Sequence, residues 1–372
     1  MLKELFFKFI ALFKQKFIKD TSWTLMATLI VGLSGLILQT IVGNKYAASG
    51  LGIYSQVIAI YTLFTLLTGF GIELSTIKHT AQYKDDKINL KAAFSTSQII
   101  IFIFSTTISI LLYLVSIKYP QIFSSKEVAD GIRFICPGIV FFVLNRNSNS
   151  FLTGLRKMKL YAITRSLRWI MILMFSLVVI FFFQNNINYL LFSYSLAEFI
   201  LFIYLLIINR RYYQLKVSMF WLKIHLVFGS KSILARLVRD FNSKLGIIIV
   251  GYFLGNASAG IFSFIVTFAQ AILIFSSAIQ QNFNPFFASN FANNRIEHIK
   301  LSIKKLLKFT IIAAIPVLIA SIIGYYFYVH LFLSADFHNT IFLFGILSIG
   351  VVISFILSWT TTMLPMAGLL NQ

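Results

Sequence analysis

Long uninterrupted apolar stretches are the feature that most constrains the fold of this chain. A helix of about 20 apolar residues is as long as the hydrocarbon core of a bilayer is thick, and the sequence contains ten such stretches. Because 58% of the 372 residues are hydrophobic and only 12% are charged, the composition predicts an all-α polytopic membrane protein. The ten predicted spans are residues 21–43, 51–74, 93–116, 131–153, 169–184, 188–209, 229–254, 257–280, 306–329 and 341–363.

The distribution of basic residues predicts the orientation of these spans. If the N-terminus lies in the cytoplasm, the cytoplasmic segments with the adjoining helix starts hold 24 of the 32 lysines and arginines, and the opposite loops hold three. Such an imbalance follows the positive-inside rule. The net charge of +21 therefore indicates topology and contact with anionic membrane lipids, rather than binding to nucleic acid. Residues 1–20 alternate lysine with phenylalanine and leucine, which predicts an amphipathic helix on the cytoplasmic leaflet.

The seventh predicted span begins with charged residues, in the stretch LARLVRDFNSKLGIIIVGYFLG. If residues 234–244 formed a loop, the apolar remainder would be only about 15 Å of helix, half of the hydrocarbon thickness. We therefore expect the helix to begin near Gly229 and to carry its charges into the membrane.

Four of these charges lie close together on that helix. Arg236, Asp240 and Lys244 follow one another at intervals of four residues, so they share one face, and Arg239 flanks it. Two interpretations are open. The charges form an internally neutralised structural group, or they form a cationic stripe that lines a water-filled cavity, because intramembrane charges usually mark a substrate path.

A second polar stripe lies in the predicted span 131–153, in the stretch VLNRNSNSF. Asn145, Arg146 and Asn149 fall on one helical face, and no acidic residue nearby in the sequence offsets the arginine. We therefore predict that Arg146 faces a cavity. Glu198, in the middle of span 188–209, is either the ion-pair partner of Arg146 or a protonatable coupling group, and the first is favoured. The three acids expected to be buried are Glu73, Glu198 and Asp240.

The sequence also contains an internal repeat. Residues 41–55 (IVGNKYAASGLGIYS) and 249–263 (IVGYFLGNASAGIFS) match at seven positions, six identical and one aromatic in both, with a constant offset of 208 residues. Each stretch covers the end of one predicted span, a short turn and the start of the next, so the repeat predicts two lobes of parallel topology.

The repeat predicts the domain boundaries. The second lobe has four predicted spans against six in the first, which favours a missing C-terminal hairpin. The predicted parts are an amphipathic segment 1–20, a six-helix lobe 21–210, a cytoplasmic linker 211–228 and a four-helix lobe 229–372.

Three stretches carry a family resemblance: VGNKYAASGLGIYSQVIAIYTLFTLLTGFGIELSTIKHTAQY, RDFNSKLGIIIVGYFLGNASAGIFS and QQNFNPFFASNF. They resemble the polysaccharide biosynthesis membrane proteins, the O-antigen flippase (Wzx-like) branch of the multidrug/oligosaccharidyl-lipid/polysaccharide exporter superfamily. The resemblance implies twelve helices in two lobes around a cationic cavity. It also implies alternating access that carries undecaprenyl-pyrophosphate-linked oligosaccharide, an O-antigen or capsule repeat unit, across the bacterial cytoplasmic (inner) membrane. The ten predicted spans depart from this pattern.

The site expected for this function is a set of intramembrane polar residues, because arginine and lysine form charge-assisted hydrogen bonds with phosphate. The expected headgroup ligands are Arg146, Lys244, Arg239 and Arg236. The expected lumen-facing or coupling residues are Asp240, Glu198, Asn145 and Asn149. The expected partners are lipid-linked oligosaccharide and membrane lipids, and the polysaccharide polymerase and chain-length machinery are further candidates.

Two other functions are compatible with parts of the sequence. A cation-coupled drug or metabolite antiporter of the same superfamily would share the fold but would need carboxylates for coupling, and few acids are buried. A membrane polymerase or ligase would need a substantial outer loop, whereas the longest predicted one is residues 117–130. We expect no enzyme activity, cofactor or metal, since the histidines lack metal spacing, His79 and His225 lying in predicted cytoplasmic loops, and a single cysteine excludes an internal disulfide.

Overall fold

The computed structural model describes residues 2–183, 186–214, 216–292 and 296–357, and it shows an all-α multi-pass membrane protein. Within these ranges, side chains are described at every residue except 2–19, 21, 234–243, 271–272, 274–296, 298–302, 305–306 and 309. The α-helices in the described residues are α1 (Leu2–Gly69), α2 (Ile72–Gln82), α3 (Lys87–Lys118), α4 (Lys126–Gly154), α5 (Met158–Phe182), α6 (Ile187–Asn209), α7 (Met219–Ala292), α8 (Ile296–Phe332) and α9 (Ile341–Leu357).

Seven helices among the described residues are long and apolar enough to cross a membrane. This number is smaller than the ten predicted spans for three reasons. One continuous stretch of 48 residues, Ser22–Gly69, covers two predicted spans. A second stretch, Lys244–Gln270, overlaps two more, 229–254 and 257–280. In addition, α4 is not among the seven, and the polar stretch NRNSNS lowers its hydropathy.

Three predicted loops are shorter than expected. The helix α5 begins at Met158, so Arg165 and Arg168 belong to a helix and not to a cytoplasmic loop. His79 lies in α2 and His225 lies in α7, and the placement of these two histidines in loops was therefore wrong. The helix that carries the charged stretch 234–244 is continuous, as predicted, but it begins at Met219 rather than near Gly229.

Both long helices are kinked at equivalent positions of the repeat. The kink in α1 is at Ala47 (φ 57°, ψ −176°) and the kink in α7 is at Gly255 (φ 84°, ψ 174°). The two residues are separated by the 208-residue offset that the sequence repeat predicts. Two matching kinks in the same rare conformation support the duplication independently of the residue matches.

The kink at Ala47 predicts a stabilising substitution. This backbone region is essentially reserved for glycine, and another residue there costs about 1–3 kcal/mol. Replacing Ala47 by glycine should therefore stabilise the protein by about 1 kcal/mol, after the greater flexibility of glycine in the unfolded chain is subtracted. Thermal unfolding of the purified protein in detergent measures the effect.

The neighbouring residue is a matched control for this prediction. Ala48 is buried and helical, so Ala48→Gly should destabilise the protein by roughly 0.5–1 kcal/mol. Equal destabilisation by both glycine substitutions would show that Ala47 is not strained.

The structure divides the chain into two compact units. Unit 1 comprises residues 1–38 and 49–260, and unit 2 comprises residues 39–48 and 261–372. The boundary at residues 211–228 that the repeat suggests remains a prediction.

Each unit contains a contact between a loop and the residue after a kink. In unit 1, the side chain of Asn256 donates to the hydroxyl of Ser125 over 3.2 Å. In unit 2, the backbone N–H of Ala48 donates to the carboxylate of Asp336 over 3.3 Å. Asn256 and Ala48 are again equivalent positions of the repeat, so the two kinks are held by similar contacts, each to a segment that follows a long helix.

The core of unit 1 is built around α4, which packs against α2, α3, α5 and α6. Its apolar residues join two clusters of buried side chains. One cluster contains Phe151 and Phe94, whose rings stack at 4.1 Å. The other contains Leu152 and the leucines of α6. This central position brings the polar stretch of α4 into contact with every neighbouring helix.

Candidate functional site

The polar stretch Asn145 to Asn149 of α4 is the centre of the buried polar network in unit 1. A helix turns by 100° per residue, so consecutive side chains point to different neighbours. Within these five residues, side chains contact α1, α2, α3, α5 and α6. The contacts are Asn145 with Glu198, Arg146 with Glu73 and Thr65, Asn147 with Thr76 and Ser97, Ser148 with Gln98, and Asn149 with Thr164.

Arg146 forms an ion pair with Glu73 of α2. Its Nη2 also donates to the backbone oxygen of Thr65 over 2.8 Å. The sequence favoured Glu198 as the partner of Arg146, and this assignment was wrong because Glu73, which is distant in sequence, forms the pair. The Glu73 side chain is 3% exposed, whereas that of Arg146 is 20% exposed. Arg146 thus remains accessible while its partner is enclosed.

Glu198 of α6 pairs with Arg168 of α5, and not with Arg146 as the sequence suggested. The amide of Asn145 donates to the Glu198 carboxylate over 2.9 Å and to its backbone oxygen over 2.8 Å. Because Glu198 is fully buried, this ion pair is part of the core.

Phe142 lies between the two arginines, one turn of α4 before Arg146. The guanidinium carbon of Arg168 is 4.5 Å from the centre of the Phe142 ring, and that of Arg146 is 5.4 Å from it. A guanidinium over an aromatic face within about 6 Å is attracted by the ring quadrupole. The ring therefore joins the two ion pairs into one cluster of two cations and two anions, which we call the double ion pair.

The double ion pair is neutral in total charge, and this limits its chemistry. A buried arginine that is already held by a carboxylate presents no net charge, but it can exchange that carboxylate for a phosphate or share its remaining N–H groups with it. Of the two arginines in the double ion pair, Arg146 is the more exposed, at 20% against 15% for Arg168, and the Glu198 carboxylate is fully buried.

The structure locates the other predicted site residues as follows. The side chains of Arg236, Arg239 and Asp240 lie outside the described residues, so the proposed stripe on α7 stays a prediction. Lys244 belongs to the helical backbone of α7 and its side chain is partly buried. Asn145 and Asn149 both contact other helices and therefore help to position α4.

Arg168 is the site residue that sequence reasoning missed. It was assigned to a loop because it lies at the edge of an apolar stretch, where a basic residue usually marks a membrane boundary. A signal was nevertheless present. The residues from Met158 to Arg168 contain no glycine or proline that would end a helix, so the helix of α5 could have been extended backwards.

No group of three histidine, cysteine or acidic side chains within the described residues is arranged to hold a metal ion. Cys136 is buried and not in a disulfide.

Comparison with solved structures defines the class of protein. The chain is similar to an inward-facing multidrug resistance MATE family transporter of the MOP superfamily, with a TM-score of 0.70, 15% identity, 95% of this chain covered and 84% of the other. A MATE transporter from Vibrio cholerae gives a TM-score of 0.60 at 13% identity, with 95% of this chain and 86% of that chain covered. The fold is therefore that of the MATE transporters.

The chain belongs to the polysaccharide biosynthesis protein family, whose model matches residues 17–291. Among curated proteins, it is similar to the lipid III flippase of Escherichia coli, with 25% identity over 118 residues. This match covers 32% of the present chain and 28% of the flippase, and the lipid III flippase of Shigella flexneri matches equally. The chain thus spans under a third of the length of the curated relatives it matches.

Proposed function

We propose that this protein is a flippase that moves undecaprenyl-pyrophosphate-linked oligosaccharide across the bacterial cytoplasmic membrane by alternating access. Membership of a polysaccharide biosynthesis family over residues 17–291 carries the proposal. The fold similarity to transporters supports the transport step. An O-antigen or capsule repeat unit is the proposed substrate, the N-terminus is proposed to lie in the cytoplasm, and polysaccharide polymerase and chain-length machinery are proposed partners.

Arg146 is the proposed contact to the pyrophosphate. A phosphate oxygen accepts strong, charge-assisted hydrogen bonds from a planar guanidinium, and Arg146 is the more exposed arginine of the double ion pair. In the absence of substrate, Glu73 holds the guanidinium in place. The headgroup would join or replace Glu73, so binding would not leave a buried cation without a partner.

The cationic stripe of α7 is the second proposed contact. Lys244, Arg239 and Arg236 are proposed to bind the anionic headgroup, with Asp240 as the group that offsets part of their charge. Glu198 has a different proposed role from the one expected, because its carboxylate holds Arg168. We assign it to positioning rather than to proton coupling.

Substitution of Arg146 tests the proposal. Removing one partner of a desolvated charge contact costs about 2–5 kcal/mol of binding, so Arg146→Ala should lower the transport rate at least about tenfold. A second variant, Arg146→Gln with Glu73→Gln, leaves no unpaired buried charge and should fold like the wild type while remaining defective. Transport is measured in proteoliposomes as the appearance of a fluorescent polyprenyl-pyrophosphate sugar in the opposite leaflet.

The control for this experiment is Lys118→Ala, which removes an exposed cation at the end of α3 and should leave transport unchanged. Wild-type transport by a folded double glutamine variant would disprove the role of Arg146. No transport of the lipid-linked sugar by the wild type would disprove the flippase itself.

A cation-coupled drug or metabolite antiporter is the second candidate. The fold similarity to multidrug transporters favours it. The ion pairs of Glu73 and Glu198 weigh against it, because each of these carboxylates is already bound to an arginine of the same chain. Cation-driven uptake of a dye by the same proteoliposomes, with no movement of the lipid-linked sugar, would establish this alternative.

A further inference from the structure

A cavity of about 260 Å³ lies in unit 1, and none of the residues that line it belongs to the double ion pair. Its apolar walls are Ile99 and Phe102 of α3, Leu144 of α4 and Phe202 of α6. Tyr213 and Gln214 line it as well. The volume is below the range of about 300–1,000 Å³ that is usual for whole drug-sized ligands, so the cavity fits part of a larger molecule, such as one hydrocarbon chain.

The surroundings of the cavity identify a lipid as the source of that chain. The helices α3 and α6 both belong to candidate membrane spans. Phe102 lines the cavity and is still 52% exposed, and on α6 the neighbours Phe199, Ile203 and Leu206 are exposed as well. Apolar side chains exposed at this depth face acyl chains, so the cavity is reached from the hydrocarbon region and not from water.

A basic turn is fixed at one end of the cavity. The hydroxyl of Ser95 donates to the backbone oxygen of Tyr212 over 3.2 Å and accepts from the N–H of Gln214 over 2.8 Å. These bonds tie the segment after α6 to α3. The exposed basic residues Arg210, Arg211 and Lys216 all belong to this segment.

The distance along α3 matches a lipid that is anchored at its headgroup. From Ser95 to Phe102 the helix rises about 10 Å. A headgroup at the basic turn would thus send its chain about 10 Å towards the bilayer centre along the apolar walls. Arginine and lysine at the membrane surface attract anionic headgroups with about 1 kcal/mol each.

We propose that this cavity binds one acyl chain of an anionic phospholipid, whose phosphate is held by the basic turn of Arg210, Arg211 and Lys216. None of the residues that line the cavity is among those proposed to bind the transported substrate. A resident lipid would fill the space between α3, α4 and α6.

Photochemical labelling tests the proposal. The purified protein is placed in phosphatidylcholine nanodiscs that contain a small fraction of phosphatidylglycerol with a diazirine at the end of one acyl chain. After irradiation, peptide mass spectrometry should find the adducts concentrated on the cavity walls in α3 and α6. Ile99→Phe, which fills the cavity, should reduce these adducts to the yield at other lipid-facing positions, and its matched control Ile103→Phe should not, because Ile103 is exposed outside the cavity.

The headgroup is tested by charge removal. Arg210→Ala with Arg211→Ala should lower labelling by phosphatidylglycerol about thirtyfold, whereas Lys84→Ala with Lys87→Ala should leave it unchanged. Labelling that is spread evenly over the lipid-facing positions and is unchanged by Ile99→Phe would show that the cavity is not a lipid site. Equal labelling by a phosphatidylcholine probe would overturn the preference for anionic lipid. If a polyprenyl phosphate displaced the label and excess phosphatidylglycerol did not, the occupant would not be an anionic phospholipid.

Discussion

Replacement of Arg168 by alanine should be among the most destabilising single substitutions in this protein, with an expected loss of about 3–5 kcal/mol. The Glu198 side chain is fully buried and the Arg168 side chain is 15% exposed, so alanine leaves a carboxylate without its cation in a low-dielectric core. Asn145 cannot replace that charge, because the amide that donates to the Glu198 carboxylate is neutral. Thermal unfolding in detergent and the yield of monodisperse protein measure the effect.

Three further variants separate the ion pair from general packing. The double variant Arg168→Met with Glu198→Leu removes both charges, and it should recover most of the stability because an apolar replacement of a buried pair is often nearly neutral. Asn145 keeps an acceptor in that variant, since it also donates to the backbone oxygen of residue 198. The stability of Glu198→Gln should lie between that of Arg168→Ala and that of the double variant. Lys118→Ala, which changes an exposed side chain, should leave the stability unchanged. An Arg168→Ala protein that unfolds at the wild-type temperature would contradict the structural role of the pair.

Acidification should destabilise the protein through His225. The ring is fully buried in α7, with Nδ1 2.8 Å from the Ser75 hydroxyl and Nε2 3.0 Å from the backbone oxygen of Ala93. That oxygen only accepts, so Nε2 carries the proton of a neutral ring and Nδ1 accepts from Ser75. The pKa of His225 is lowered from 6.5 to about 4, mainly by burial and to a smaller extent by the neighbouring His79, while the hydrogen bond to Ala93 opposes the shift.

The direction of the pH dependence follows from this lowered pKa. The unfolded chain binds a proton near pH 6.5 and the folded protein does so only near pH 4, so the stabilisation is complete above pH 6.5 and is lost as the pH falls towards 4. Between pH 7 and pH 5 the expected loss is about 2 kcal/mol. His79 contributes in the same direction, because burial and the adjacent Lys78 lower its pKa.

The measurement is the unfolding temperature between pH 7 and pH 5. In this range the carboxyls of Asp86 and Glu127 stay ionised, since hydrogen bonds from Asn89 and from the backbone of Glu127 hold their pKa values below the usual range. His225→Gln should flatten the pH dependence, and His330→Gln, which changes an exposed histidine, should preserve it. If the unfolding temperature of His225→Gln changed with pH as much as that of the wild type, His225 would not be the group responsible.

Local features of the structure were predictable from the sequence because they depend on neighbouring residues. The apolar stretches specify membrane helices through their length alone. The repeat indicated equivalent turns, and the kinks at Ala47 and Gly255 lie at equivalent positions within them. The charged stretch 234–244 was correctly assigned to a helix, because the alternative left a segment too short to cross a bilayer.

The partners of the buried charges required the tertiary structure. Arg146 and Glu73 are separated by 73 residues, and Arg168 and Glu198 by 30. Hydropathy and helical periodicity show that a residue lies on a face, but they do not show which face of another helix meets it. Glu198 was therefore assigned to the wrong arginine, and Arg168 was placed in a loop.

By itself, the sequence determined that this chain is a multi-pass helical membrane protein with an internal duplication, because the length of apolar stretches and repeated residues are properties of the chain alone. The tertiary structure alone decided that Arg146 pairs with Glu73 and is the more exposed of the two arginines, while Arg168 pairs with the fully buried Glu198. The reason is physical: a charge in a membrane helix is tolerated only with a partner, and the packing of α4 against its neighbours selects which partner lies within reach.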